Sequence, residues 1–269
     1  MGLTLRRPML YDLLGLSEAQ FVGFLLSFLR IMALVAVAPV LGSQSIPVQV
    51  KVFFSFFLSI MLLPMLKTDT SLTSLSLIGM LPLALKEMLV GLFLGFNAKF
   101  IFESFQFAGR LISTQMGFGM ANIIDPENGA PSTPIGNIYS MVVIILFLTL
   151  NGHHFVIAAL YKSFEFVPVA SMSLIPAAAH GKMLVMFNNL FIMGIKLAAP
   201  SMATLFLIEV CMAIMARIMP QMNIFFIGLP IRLGVGMFIV IVSLPLVYVF
   251  FTMMLRQWER DLTSILNHL

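Results

Sequence analysis

Apolar residues along this chain neither alternate nor recur on one helical face. They fill whole segments, and polar positions enter as short breaks between them. That pattern predicts helices that are apolar all round, suited to a bilayer or to packing among other such helices. "SEAQFVGFLLSFLRIMALVAVAPVLG" opens with Ser17 as an N-cap and Gln20 as its capping-box partner, and predicts a first helix to about Pro39. "SIPVQVKVFFSFFLSIMLLPML" predicts a second, ending near Pro64, with "KTDTSLTS" as a polar turn. A third apolar region starts near Leu77 and, Pro82 apart, meets no breaker until Gly117. At 1.5 Å per residue that is about 60 Å, more than one crossing needs, so this helix must bend, tilt or leave the bilayer. "IGNIYSMVVIILFLTLNGHHFVIAALYKSF" is read as one further apolar segment, followed by the looser "VPVASMSLIPAAAHG". The remainder predicts a hairpin: an arm from Lys182, the turn "PQMN" at Pro220–Asn223, and an arm from Ile224. Pro200, Pro230 and Pro245 lie inside the arms, where lipid tolerates them as kinks if neighbours satisfy the freed carbonyls.

Composition turns this pattern into a class. The chain of 269 residues is 60% hydrophobic and 10% charged, where a soluble domain carries about 25% charged residues. With a mean hydropathy of +1.06, it reads as an all-α integral membrane protein, one membrane-embedded domain over 1–269 built from long kinked helical hairpins. The net charge of +4 is scattered and forms no basic tract, so no nucleic-acid partner is expected; membrane lipid is. A lone cysteine, Cys211, excludes an internal disulfide or CxxC pair and is expected to be a small buried apolar residue. "MGLTLRRPMLYDLLGL" reads as leading into an uncleaved first helix. Arg6 and Arg7 at one end, with Arg256 and Arg260 at the other, favour both termini in the cytoplasm and six crossings.

Charges inside apolar helices come next, because each is costly and needs a reason. Arg30, Lys86, Glu87, Lys99, Glu103, Arg110, Lys196, Glu209, Arg217 and Arg232 qualify. At about 100° per residue, Lys99, Glu103, Gln106 and Arg110 fall within roughly 60° of one another, and Ser113 extends the stripe. Four-residue spacing would pair Lys99 with Glu103 and Gln106 with Arg110. The seam is either glue between helices or the wall of a watery passage; its alternating signs suit pairing better than selection of one ion. Glu209 and Arg217 share a face but stand about 12 Å apart along the axis, so each should meet a partner on another helix or chain. His153 and His154 are adjacent and diverge on a helix, which favours structural roles; no metal site is expected. No catalytic motif and no cofactor motif is present, so neither catalytic nor cofactor-binding residues are assigned. Gly91 and Gly95 allow close helix approach. Met116, Met120, Met215, Met219 and Met222 could be ordinary packing or a soft seal.

One break is unlike the others. "GFGMANIIDPENGAPSTP", Gly117 to Pro134, puts glycines, an Asn, an Asp-Pro and further prolines between two strongly apolar stretches. Backbone that leaves a helix there must lie outside the bilayer, be shielded by protein, or line a watery path. Together with "LFLTLNGHHFVIAALYKSFEFVP" and "RIMPQMNIFFIGLPIR", in that order and spacing, it resembles the FliR/SctT-like export-gate subunits of bacterial type III secretion over nearly the whole chain. "NGHH" leans toward the flagellar branch, FliR, over the injectisome branch. The resemblance implies a FliP-like part over about 1–180 and a FliQ-like two-helix hairpin over about 181–269. It implies assembly with FliP-like and FliQ-like subunits, with a FlhB-like gate protein nearby, in the inner membrane at the flagellar basal body. Unfolded flagellar subunits would pass through that gate. It further implies a channel plug formed by Met116, Gly117, Phe118, Gly119, Met120, Ala121 and Asn122, with Asp125 and Pro126 preventing helix from re-forming. Glu209 and Arg217, with Pro220, Gln221 and Asn223 of the turn, are expected to contact neighbouring subunits. The alternative from another class is a secondary transporter with broken helices near Gly117, Pro200 and Gly228 around a small solute, against which the missing internal repeat counts.

Overall fold

The structure, a computed structural model, describes residues 17–65, 77–119, 133–169, 177–221 and 223–267. Among these, seven α-helices carry the fold: α1 Glu18–Val37, α2 Val48–Leu62, α3 Leu77–Met116, α4 Pro134–Thr149, α5 Gly152–Phe166, α6 Ala177–Ile218 and α7 Ile224–Asn267. The Ser17 capping box forms, with its hydroxyl accepting from the Gln20 N–H and the Gln20 side chain accepting from the Ser17 N–H. Pro134 opens α4, where a missing N–H costs nothing. α3, α6 and α7 stay helical through Pro82, through Pro200, and through Pro230 and Pro245.

The chain packs as two compact units, one of residues 1–99, 154–182 and 260–269, the other of residues 100–153 and 183–259.

The first unit is organised around charge. Arg30 on α1 is fully buried, and all five of its N–H donors have acceptors. Nε and one terminal nitrogen reach Glu87 Oε2 on α3, both at 2.5 Å. The other nitrogen meets the Ser163 carbonyl at 3.0 Å and its hydroxyl at 3.2 Å, and Val167 O accepts at 2.8 Å. The guanidinium also lies over the Phe164 ring, 4.3 Å from its centre. Lys86 Nζ stands 3.6 Å from the other Glu87 oxygen and donates to Pro168 O at 3.3 Å. Arginine thus joins three helices and closes carbonyls at the C-terminal end of α5, which that helix cannot satisfy itself. Gly91 and Gly95 lie where α3 crosses α1 most closely; a Cβ on Gly91 would collide with the Arg30 carbonyl.

α2 is polar inside and apolar outside. Ser55 and Ser59 are buried, while Phe53, Phe56, Phe57, Ile60 and Met61 are exposed. Ser27 of α1 and Ser59 share a hydrogen bond of 2.8 Å. Between α1 and α2, Val40 takes a φ of 68°, a region that costs a β-branched residue dearly.

The second unit has an aromatic core. Phe102 packs edge-on against Phe147 and Phe251, at 5.3 and 6.3 Å, and Phe105 against Phe251 at 5.9 Å. Ile112, Tyr139, Val143, Leu197 and Val247 are also buried in this unit, and Tyr139 shares a hydrogen bond of 3.1 Å with Ser243 on α7. Gly109 and Gly136 let α3 and α4 touch backbone to backbone.

Three expectations are corrected. The apolar segment read as continuous from Ile135 breaks between α4 and α5, where Asn151 adopts a φ of 55° that Asn tolerates better than most residues. Six crossings were expected, but among the described residues four helices are long and apolar enough to cross, or five if the broken pair counts as one. α2, at 15 residues, falls short of the roughly 20 a span needs. Cys211 is exposed rather than buried, because it sits on the outward face of α6.

Candidate functional site: the end of α3 and the hairpin

α3 carries the polar stripe to the point where helix stops. Lys99 and Arg110 are exposed, Glu103 and Gln106 half-buried. Glu103 pairs with Arg110 two turns along, at 3.3 Å, rather than with Lys99 as spacing alone suggested. The long arginine side chain spans that gap. Both partners are partly solvated, so the bond contributes at most about 1 kcal/mol. Ser113 leaves the stripe: it is buried, and its hydroxyl accepts from the Ile135 N–H at 3.2 Å. It thereby satisfies a first-turn donor of α4, whose own cap residue Thr133 supplies no side-chain bond.

The helix ends by a Schellman motif. Gly117 adopts a φ of 97°, its N–H meets Thr114 O at 3.1 Å, and the Phe118 N–H meets Ser113 O at 3.1 Å. Glycine is required at that φ. Met116 is fully buried, while Phe118 and Gly119 are half-buried. Met120, Ala121, Asn122, Asp125 and Pro126 lie outside the described residues.

Opposite stands the hairpin of α6 and α7. Glu209 of α6 pairs with Arg232 of α7 at 3.2 Å, so its partner lies on the facing arm of the same chain. Gly228 on α7 makes room for the Met212 side chain of α6. Arg217, Pro220, Gln221 and Asn223 are exposed around the turn, and the Asn223 carbonyl accepts from the Phe226 N–H at 3.1 Å. Met215 and Met219 are exposed, and Met222 lies outside the described residues. A cavity of about 380 Å³ opens here, lined by Gly117 from α3, Met212 and Ala216 from α6, and Gly228 from α7, with the Glu209–Arg232 pair at its wall. The structure therefore brings Gly117 and Glu209 to one place and joins Glu103 to Arg110. The pairing of Arg232 with Glu209 spans 23 residues and the hairpin turn, so no helical spacing in the sequence marks it.

The sequence that builds this site is similar to known proteins over most of its length. Residues 21–258 match the family described as bacterial export proteins, family 1. The chain belongs to that family. A flagellar biosynthetic protein FliR from Bacillus subtilis (strain 168) is 35% identical, covering 85% of this chain and 88% of its own. The FliR of Escherichia coli (strain K12) is 29% identical over 90% and 91% of the two chains, and that of Aquifex aeolicus (strain VF5) 30% identical over 86% and 88%. As a family 1 export protein, this chain matches its FliR relatives along almost their entire length, so the stripe, the end of α3 and the hairpin all fall inside the shared region.

Proposed function

We propose that this protein is a structural subunit of the flagellar protein-export gate and catalyses no reaction of its own. It would sit in the bacterial inner membrane with FliP-like and FliQ-like subunits and a FlhB-like partner, and unfolded flagellar subunits would pass beside it. The observation that carries this reading is the family match from residue 21 to residue 258, with FliR relatives matched along most of their length. It favours the flagellar branch over the injectisome branch and lends the solute-transporter reading no support.

Within that role, the residues from Met116 to Asn122 act as the plug, and Asp125-Pro126 keeps the segment out of helix. The Schellman end at Gly117 supports this, because it turns the chain away from the α3 axis within one residue. A constriction of Phe118 and methionines would exclude ions by offering no replacement for their hydration shell. The stripe of Glu103 and Arg110 supports a wall that faces water or protein, since lipid would penalise both charges. The exposed hairpin turn, with Arg217, Pro220, Gln221 and Asn223, would meet neighbouring subunits. The parts over about 1–180 and 181–269 would take FliP-like and FliQ-like places in the assembly.

Native mass spectrometry after co-expression with neighbouring genes tests the assembly. A discrete complex holding this chain among small unlike membrane subunits is expected, and a monodisperse monomer or homodimer would overturn the proposal. Deleting Gly117 to Asn122 should then make the membrane permeable to small ions; an unchanged ion flux would remove the plug assignment.

A further inference from the structure

We infer that α7 is the seat that holds the C-terminal end of α3 in place, and that the cavity beside Gly117 is the space into which that end moves when the seat is disturbed. Its functional meaning rests on the plug reading above, but its geometry does not.

Three contacts carry it. The Met116 side chain lies over Gly236: a Cβ built on Gly236 would stand 2.7 to 2.9 Å from its Cγ, Cε and Sδ. The Leu229 methyl lies 2.9 Å from a Cβ built on Gly117. Leu229 and Gly236 are seven residues apart on α7, two turns, so they present one face to α3 and grip consecutive residues of it. The Glu209–Arg232 pair ties α7 to α6 one turn beyond Leu229 and fixes the height of that face. The cavity of about 380 Å³ adjoins the same place, lined by Gly117 and Leu229 together with Met212 and Ala216 of α6, and it is larger than a single side chain needs. The end of α3 is thus gripped at Met116 by Gly236 and at Gly117 by Leu229, and at Gly117 it also borders open space. Because the seat is made by Leu229 and Gly236 on α7, and α7 is tied to α6 by the Glu209–Arg232 pair, a change in α6–α7 geometry would shift it. A neighbouring protein chain that separates the hairpin arms would act through this face.

Cysteine labelling tests the seat separately from the plug. Gly119 has nothing within 4 Å of an added Cβ, so Gly119→Cys makes a reporter without a clash. Cys211→Ser removes the native thiol, which is exposed and would otherwise react. The full chain is co-expressed with its neighbouring genes, and the reporter is reacted in membranes with a water-soluble maleimide. Gly236→Val should speed labelling about 10-fold, the population change that ~1.4 kcal/mol of lost seating gives. In a Met116→Ala background Gly236→Val should add little to the rate of Met116→Ala alone, because the side chain that Val displaces is then absent. Leu229→Ala, which adds no bulk, should speed labelling in the same direction and covers the case in which Gly236→Val fails to assemble. Unchanged labelling in both variants, or a Gly236→Val effect as large over Met116→Ala as over the parent, overturns the seat. Faster labelling without an ion leak leaves the seat standing and removes the plug reading. A leak with unchanged labelling overturns the seat.

Discussion

Replacing Glu87 by Gln changes one atom and the charge of a group buried at zero exposure, between two cations. In the native chain Glu87 faces Arg30 at 2.5 Å and Lys86 at 3.6 Å, while Arg30 has an acceptor for every N–H. Glutamine keeps an acceptor oxygen toward Arg30 but removes the negative charge that faces both cations, one of them fully buried. Removing one partner of a buried pair costs about 3–5 kcal/mol, whereas replacing both by apolar groups is often neutral. Arg30→Met should cost less, because Lys86 remains within reach of the Glu87 carboxylate, and Lys86→Met least. The double variant Arg30→Met with Glu87→Met should therefore be more stable than Glu87→Gln alone. At roughly 2–4 °C per kcal/mol for a large domain, the Glu87→Gln loss is a midpoint drop on the order of 10 °C. The assay is the temperature at which the detergent-solubilised protein leaves its monodisperse peak in size-exclusion chromatography. Equal midpoints for the parent and Glu87→Gln would refute the reasoning. So would a double variant whose loss equals the sum of the single losses, since residues in contact should couple.

The other expectations are smaller in size. Tyr139→Phe and Ser243→Ala should each cost about 1 kcal/mol, with the double variant far less than additive, read from the same thermal midpoint. Gly91→Val should destabilise by about 1–3 kcal/mol by driving a side chain into the α1 backbone, while Gly234→Ala, which meets nothing within 4 Å, should gain about 0.5–1 kcal/mol from helix propensity. A Gly91→Val midpoint at or above the parent's would contradict the close crossing. Val40→Gly should raise the midpoint, since it releases about 1–3 kcal/mol held in the left-handed turn; a fall would mean the Val40 side chain matters more than its backbone.

Local chemistry was the most legible part of the sequence. Ser17 with Gln20, Gly117 and the Pro220–Asn223 turn each mark a boundary by a short-range rule, and the structure ends or begins helices there. The small-residue pair Gly91 and Gly95 announced a close crossing, although nothing in the pattern said that α1 was the partner. What stayed hidden depends on the third dimension. Arg30 and Glu87 stand 57 residues apart, and no periodicity joins them. Glu103 had two cations within reach of one helix face, and rotamer geometry, not spacing, selects Arg110. Hydrophobicity made Cys211 look interior, but in a chain apolar all round that property no longer separates inside from outside. Met120, Ala121, Asn122, Asp125 and Pro126 of the expected plug lie outside the described residues, so that part of the candidate site rests on the resemblance.

The inverted polarity of α2 has a consequence for how the helix finds its orientation. In a soluble protein, turning a surface helix about its axis exposes oil to water, and the penalty restores the angle. Here the outward residues are phenylalanines and aliphatics, and an oily surround is indifferent to which of them faces it. The angle must instead be set by the few groups that oil does penalise. The Ser27–Ser59 hydroxyl pair, with the Ser59 hydroxyl also meeting the Phe24 carbonyl, works as an index mark on an otherwise featureless rod. Replacing either serine by alanine would erase that mark and leave Lys51 on the Gly42 carbonyl and the buried Ser55 to hold the angle.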